Sequence, residues 1–300
     1  MRRLALALGL ALLGAAAPRA QQTPFKSSVD LVPVFATVLE KNGAFRNGLT
    51  KDDFIVLDNG KPQTITSFSS ETEAISVALI LDTSGSMVEA ERRVTRAAGI
   101  FLDELGKDDR ATVGTLWFQG PSFTSDKERL WDSLNMLPRD GSSPVYAAIN
   151  RALTALQKES NRRVIVMYTD GKNNAFIGRA LNSPKGPVPA DSSQLLANLR
   201  TRVERDGVMI YAIGFEGVPL ARDMKSIALR SGGRATELKK NGDLAKELAA
   251  VVDELHHQYL LGFAPQTMDG LVHKLEVRVK PKGLTVRARQ SYIASGSESK

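Results

Sequence analysis

Cysteine is missing from the chain altogether, which excludes disulfides, thiolate metal sites, a cysteine nucleophile and a lipid-anchored N-terminal cysteine. Histidine is scarce. His256 and His257 are neighbours and cannot share a helix face, and His273 opens an extended stretch, so none is expected to ligate a metal. The two tryptophans, Trp117 and Trp131, fall in a strand and a helix pattern and are expected in the core. G-x-S-x-G, a Walker loop and H-E-x-x-H are all absent, which removes the usual signatures of serine hydrolases, phosphate-binding NTPases and zinc proteases. No strong charge of one sign is present either. The net charge is +7, falling to +4 without Arg2, Arg3 and Arg19. The basic residues are scattered, so no nucleic-acid partner is expected.

Long apolar runs are also lacking. Arg2 and Arg3 precede a short apolar segment, residues 4–13, followed by small residues up to Ala20. That order is the layout of a secretory signal peptide, and the segment is too short to span a bilayer stably. Residues 1–20 are therefore expected to direct export, periplasmic or secreted, and no stable membrane span is expected in the rest of the chain.

Three hundred residues suffice for a full α/β domain with a smaller accessory module. From 27 to 74 the pattern is extended: Val32, Val34, Ala36 and Val38 alternate with other residues. Phe54 to Leu57 runs into Asn59-Gly60 and out through Thr64-Ile65-Thr66, a hairpin signal because both turn residues tolerate positive φ. From 75 to 257 the grammar changes. A continuous apolar strand over 77–81 is followed by a helix carrying Val94, Ala97, Ala98, Phe101, Leu102 and Leu105 on one side. Strands over 111–118, 163–169, 208–215 and 235–238 then alternate with helices over 127–137, 145–157, 194–204, 220–230 and 243–257. This predicts a doubly wound, mostly parallel sheet with helices on both faces. From 258 to 294 the chain is extended again, with Leu275, Val277 and Val279 alternating with charged residues. Neither flank is a stable unit alone. Both chain ends are expected to pair into one small β-sandwich, leaving 295–300 as a disordered tail.

The chemistry concentrates where the first core strand ends, at Asp82-Thr83-Ser84-Gly85-Ser86. In open α/β sheets, ligands collect at the carboxyl ends of the strands. Asp82, Ser84 and Ser86 at alternate positions let three oxygens converge. One carboxylate with two hydroxyls is a hard ligand set that suits Mg²⁺ best here, with Mn²⁺ or Ca²⁺ as alternatives, rather than zinc. The strand over 163–169 ends in Asp170, and the hydroxyl-rich loop 140–144 lies between them in sequence.

These segments resemble the metal-ion-dependent adhesion site of von Willebrand factor type A domains. D-x-S-x-S matches at Asp82, Ser84 and Ser86. Ser143 falls where that family has threonine, and Asp170 matches its final aspartate in T-D-G. The flanking stretches at 49–63 and 258–265 resemble a bacterial group of exported proteins related to that family. The resemblance implies that Asp82, Ser84, Ser86 and Ser143 hold the ion, that Asp170 acts through water, and that a partner protein's Asp or Glu carboxylate completes the shell. It implies binding without turnover. An aspartyl phosphatase would need a second acid two residues after Asp82, where Ser84 stands.

Two further features face partners on this reading. The loop 172–191 follows Asp170 and offers Phe176 and Ile177 as partner contacts. Lys274, Arg278, Lys280, Lys282, Arg287 and Arg289 suggest a basic face toward which an anionic envelope polymer could be drawn. The competing expectation is a metal-independent scaffold protein of the envelope that binds through its β module or that face.

Overall fold

A computed structural model describes residues 31–83, 91–117, 122–138, 143–173 and 192–295. Residues 1–20, where a signal peptide is expected, and residues 296–300 of the expected tail lie outside them. The central unit is a five-stranded parallel sheet of β5 (Ile75–Leu81), β6 (Arg110–Thr115), β7 (Arg162–Tyr168), β8 (Met209–Gly214) and β9 (Ala235–Glu237), in the order β6-β5-β7-β8-β9. Every residue of β5 is buried. Its two faces feed two separate cores. Ile75, Val77, Leu79 and Leu81 pack with α1 (Glu91–Glu104), α2 (Lys127–Asn135) and α6 (Leu244–His256). Ala78 and Ile80 pack on the other side with α3 (Val145–Leu156), α4 (Ser192–Asp206) and α5 (Arg222–Arg230). A strand buried on both faces reads as a continuous apolar run, which is why 77–81 lacks alternation.

The remaining strands form two four-stranded antiparallel sheets around a third core. β1 (Val32–Leu39), β4 (Ile65–Ser69), β10 (Tyr259–Phe263) and β12 (Thr285–Ala288) make one sheet, in the order β12-β1-β10-β4. β2 (Phe54–Asp58), β3 (Lys61–Gln63), β11 (Val272–Val279) and β13 (Ser291–Ile293) make the other, in the order β13-β11-β2-β3. Val34, Ala36, Phe54, Val56, Leu261, Phe263, Leu275 and Tyr292 fill the space between them. Both chain ends contribute to each sheet, so this module closes only across the α/β unit.

Three expectations are corrected in detail. Asn59 and Gly60 adopt φ +47° and +80° and turn the expected hairpin, but the returning strand is 61–63. Residues 65–69 cross to the other sheet and pair with β10. Trp117 is not in the core: it is 42% exposed at the end of β6, with the Arg151 guanidinium 6.0 Å from its ring. Trp131 does pack against the first core, and its indole N–H donates to Asp103 at 3.0 Å. The basic face is broken up. Arg289 turns inward, donating to the Glu204 and Ser291 carbonyls at 2.5 and 3.0 Å, and burial pushes its guanidinium down to about 10. Arg287 points at Glu254. Arg287 on β12 and the pair Lys274 and Arg278 on β11 belong to different sheets.

The histidines serve packing. His256 pairs with Asp109 at 3.0 Å. In the sandwich, nearly buried His273 sets Nδ1 2.8 Å from Asp58 and Nε2 3.3 Å from Asp269, while the Tyr292 hydroxyl donates to Asp58 at 2.9 Å. Only the doubly protonated ring donates from both nitrogens. Burial opposes the charge on His273, but the hydrogen bonds to Asp269 and Asp58 outweigh it and hold the imidazole above its ordinary 6.5. A folded-state value above the unfolded one gives stability that is fully present below the unfolded value and lost as pH rises through the folded one. The urea-midpoint gap between wild type and His273→Gln is therefore expected to be widest in mild acid and to narrow on going alkaline. A gap independent of pH would refute the charged pairing.

A buried ionic cluster joins the two modules. Glu254 on α6 is 2% exposed. It accepts from the hydroxyls of Thr37 on β1 at 3.1 Å and Tyr211 on β8 at 2.8 Å. Arg287 of β12 closes on the same carboxylate, and Arg234 Nε lies 3.7 Å away. Gln258 donates to Thr37 at 2.6 Å and contacts Arg162, whose guanidinium lies 4.0 Å over the Phe35 ring. Burial lowers Arg162 to about 10, against the pull of Tyr211 and Glu254.

Candidate functional site

The site is built at the C-terminal edge of the parallel sheet. β5 and β7 are neighbours there, in register from Ile75↔Arg162 to Leu81↔Tyr168. The ladder extends one step beyond the strands, because the Asp82 N–H donates to the Tyr168 carbonyl at 3.0 Å. Asp82 is 1% exposed. Its Oδ2 accepts from the Thr169 hydroxyl at 3.0 Å, and the same hydroxyl oxygen accepts from the Gly171 N–H at 3.0 Å. Thr169 thereby ties the end of one central strand to the turn that carries the second acid. Gly171 adopts φ +74°, and a Cβ there would lie 2.8 Å from Met224. Glycine is thus required on both conformational and steric grounds.

Asp170 follows β7 with its side chain 19% exposed. Its backbone carbonyl accepts from the Ala221 N–H at 2.9 Å, fixing the turn against the start of α5. The third element arrives from the opposite core. Ser143 is 8% exposed and precedes Pro144, the residue that caps α3. Among the described residues the Ser143 hydroxyl has no hydrogen-bond partner. The Tyr146 N–H, in the first turn of α3, donates to Asn173 Oδ1 at 3.3 Å, which draws the Ser143 end of the helix toward the Asp170 turn. Thr83 adds a link on the other side, donating to the Pro138 carbonyl at 3.0 Å.

Three of the five expected ligands, Asp82, Ser143 and Asp170, thus sit on elements that converge at one edge. Ser84 and Ser86 lie outside the described residues, as do Phe176 and Ile177. Among the described residues no group of three or more acidic or histidine side chains could hold a metal by itself. The donor set fits a hard divalent ion nonetheless. It combines two carboxylates with hydroxyls, one of them uncommitted, so the remaining positions fall to water or an outside oxygen. Beside the site, burial raises the Tyr168 phenol to about 12, helped by the nearby Glu216 and Asp82 carboxylates. It is a packing residue, stacked obliquely on Phe215 at 5.0 Å.

Sequence reasoning missed two residues of consequence. Lys172 places its ammonium 3.1 Å from Asp170 Oδ2. Glu254 could have been noticed as an acid on the flank of the apolar stripe Leu244, Leu248, Val251 and Leu255.

The arrangement defines an open α/β domain with an oxygen-rich crevice at the carboxyl ends of its central strands. Residues 77–172 match the von Willebrand factor type A domain, a span containing all five expected ligands. The matched span runs from β5 through the turn that follows β7. Among solved structures, the von Willebrand factor type A protein from Catenulispora acidiphila aligns with a TM-score of 0.50 at 11% identity, covering 88% of this chain and 74% of that one. The conserved hypothetical protein BatB from Bacteroides thetaiotaomicron gives 0.42 at 17% identity, covering 61% and 98%. The manganese-loaded TRAP protein of Plasmodium vivax gives 0.43 at 14%, covering 79% and 98%. Likeness at these identities concerns the fold. No curated protein sequence matches the chain. No helix among the described residues is long and apolar enough to cross a membrane.

Proposed function

We propose that this is an exported protein-binding module that grips its partner through a divalent cation. Asp82, Ser84, Ser86 and Ser143 hold the ion, Mg²⁺ foremost, and Asp170 acts on it through water. An Asp or Glu of the partner completes the shell. The observation that carries this reading is the meeting of Asp82 and Asp170 on adjacent central strands, tied together by the Thr169 hydroxyl. A bound cation would supply a Lewis-acidic centre. Two protein carboxylates leave a dication close to neutral, still attractive to a third carboxylate at a partly desolvated edge.

The reading is one of binding and not of catalysis. The acid that an aspartyl phosphatase uses two residues after its nucleophile is replaced here by Ser84. The test is a pull-down from envelope extract with the leaderless protein, in Mg²⁺, in EDTA, and with Asp82→Ala in Mg²⁺. A partner retained only by the wild type with metal is the expected result. The Asp82→Ala protein should keep its far-UV spectrum, so that lost binding is not lost folding. A partner held equally in all three arms would sink the proposal and move binding to the sandwich.

A further inference from the structure

Lys172 is bound twice to the carboxylate that the metal reading assigns to water-mediated coordination. Its Nζ lies 3.1 Å from Asp170 Oδ2, and its backbone N–H donates to Oδ1 at 2.9 Å. Both oxygens of Asp170 are engaged by this one residue. The left-handed turn at Gly171 brings residue 172 back over the carboxylate, and the Asn173–Tyr146 hydrogen bond pins that turn beside the helix that follows Ser143. The Lys172 side chain is 58% exposed, so it can leave Asp170 without disturbing packing.

We infer that Lys172 is an internal competitor for the cation, setting the concentration at which the site fills. The inference rests on the metal reading above and concerns its threshold. An ammonium and a dication draw on the same negative charge, and each repels the other when both are near Asp170. Lysine suits such a role, because its charge is compact and sits on a flexible four-carbon stem that swings out through solvent. An ion pair this exposed is weak, so the competitor shifts the threshold without closing the site. Filling the site frees the ammonium at the rim, where an incoming carboxylate would meet it.

The experiment measures Mn²⁺ affinity of the leaderless protein at low ionic strength, by electron paramagnetic resonance of the free ion. It compares wild type, Lys172→Met, Lys172→Arg and Asp82→Ala. Lys172→Met should bind about five-fold more tightly than wild type, and Lys172→Arg should match wild type. The Lys172→Met advantage should shrink at high salt as charge interactions are screened. If Lys172→Met binds no more tightly than wild type while Asp82→Ala loses the ion, the competitor role is wrong and the metal site stands. If the wild type itself takes up no Mn²⁺, both readings fall together.

Discussion

Replacing Glu254 with alanine is expected to cost about 3–5 kcal/mol of folding stability, the range for removing one partner of a buried charge network. The cost arises from what is left behind. Arg234 and Arg287 pair with this carboxylate, Arg234 also pairs with Glu247 at 2.5 Å, and buried Arg162 feels the pull of Glu254. Among the described residues, the Nε groups of all three arginines are already buried without hydrogen-bond partners. Deleting Glu254 takes the paired carboxylate from Arg287, leaves Arg234 with Glu247 alone and leaves Arg162 with the pull of Glu73. It also strips the Tyr211 and Thr37 hydroxyls of their acceptor, and each unsatisfied buried group costs a further ~1–3 kcal/mol at most. Glu254→Gln keeps an acceptor and should be less damaging than alanine while still losing the charge. Because the cluster spans the α/β unit and the sandwich, urea unfolding of Glu254→Ala should also lose cooperativity and split into two transitions. A single transition within about 1 kcal/mol of wild type would mean that water screens the cluster and that the junction draws its strength elsewhere.

The second large effect is steric. A Cβ at Gly233 would fall 2.0 Å from the Ile210 carbonyl oxygen and 2.7 Å from its carbon. Ile210 belongs to β8, which is held on both sides by β7 and β9, so the obstruction is backbone that cannot turn aside. Gly233→Ala should push β9 off the sheet and destabilise by about 3 kcal/mol or more, the upper end for overpacking. Gly99→Ala is the instructive control. Its Cβ would meet the Trp131 ring at 1.9 Å, a closer approach, yet the obstacle is a half-buried side chain on α2 that can swing. Gly99→Ala should therefore cost less than Gly233→Ala. Equal or reversed costs in parallel urea titrations would show that the edge strand yields more easily than the indole does.

The core of the fold was legible because burial on both faces leaves a direct mark. Val77 to Leu81 could be read as a central strand from composition alone, and the apolar faces of the flanking helices separated cleanly into the two observed cores. The placement of Asp82, Ser143 and Asp170 beside the ends of core elements was legible for a similar reason, since each follows or precedes a strongly patterned element. Partner choice among the outer strands was not. Residues 61–63 and 65–69 differ by nothing local that says which sheet each joins; that choice is made by β10, nearly two hundred residues later. The orientation of Arg287 and Arg289 was hidden for the same cause, because a basic residue on a short strand looks solvated until the acid it meets is known. Trp117 shows the converse. Its strand pattern was right, but the element ends at Thr115, three residues before the expected end, and leaves the ring outside.

The two-ended construction of the sandwich has a consequence for the order of folding. β1 to β4 leave the ribosome, or cross a membrane, long before the strands that complete their sheets exist. Ser69 must wait for Leu260, and Asp58 for Leu275. Closing so long a loop by chance is entropically costly, and non-local pairing of that kind is slow. An α/β unit that folds first would remove the difficulty. Its first strand and last helix deliver residues 75 and 256 to the same end of the domain, where Thr72 donates to the His256 carbonyl at 3.1 Å. The waiting strands are then held at high local concentration next to their partners. A chain truncated before β10 should accordingly retain a folded α/β domain carrying an unpaired, aggregation-prone β segment at its N-terminal end.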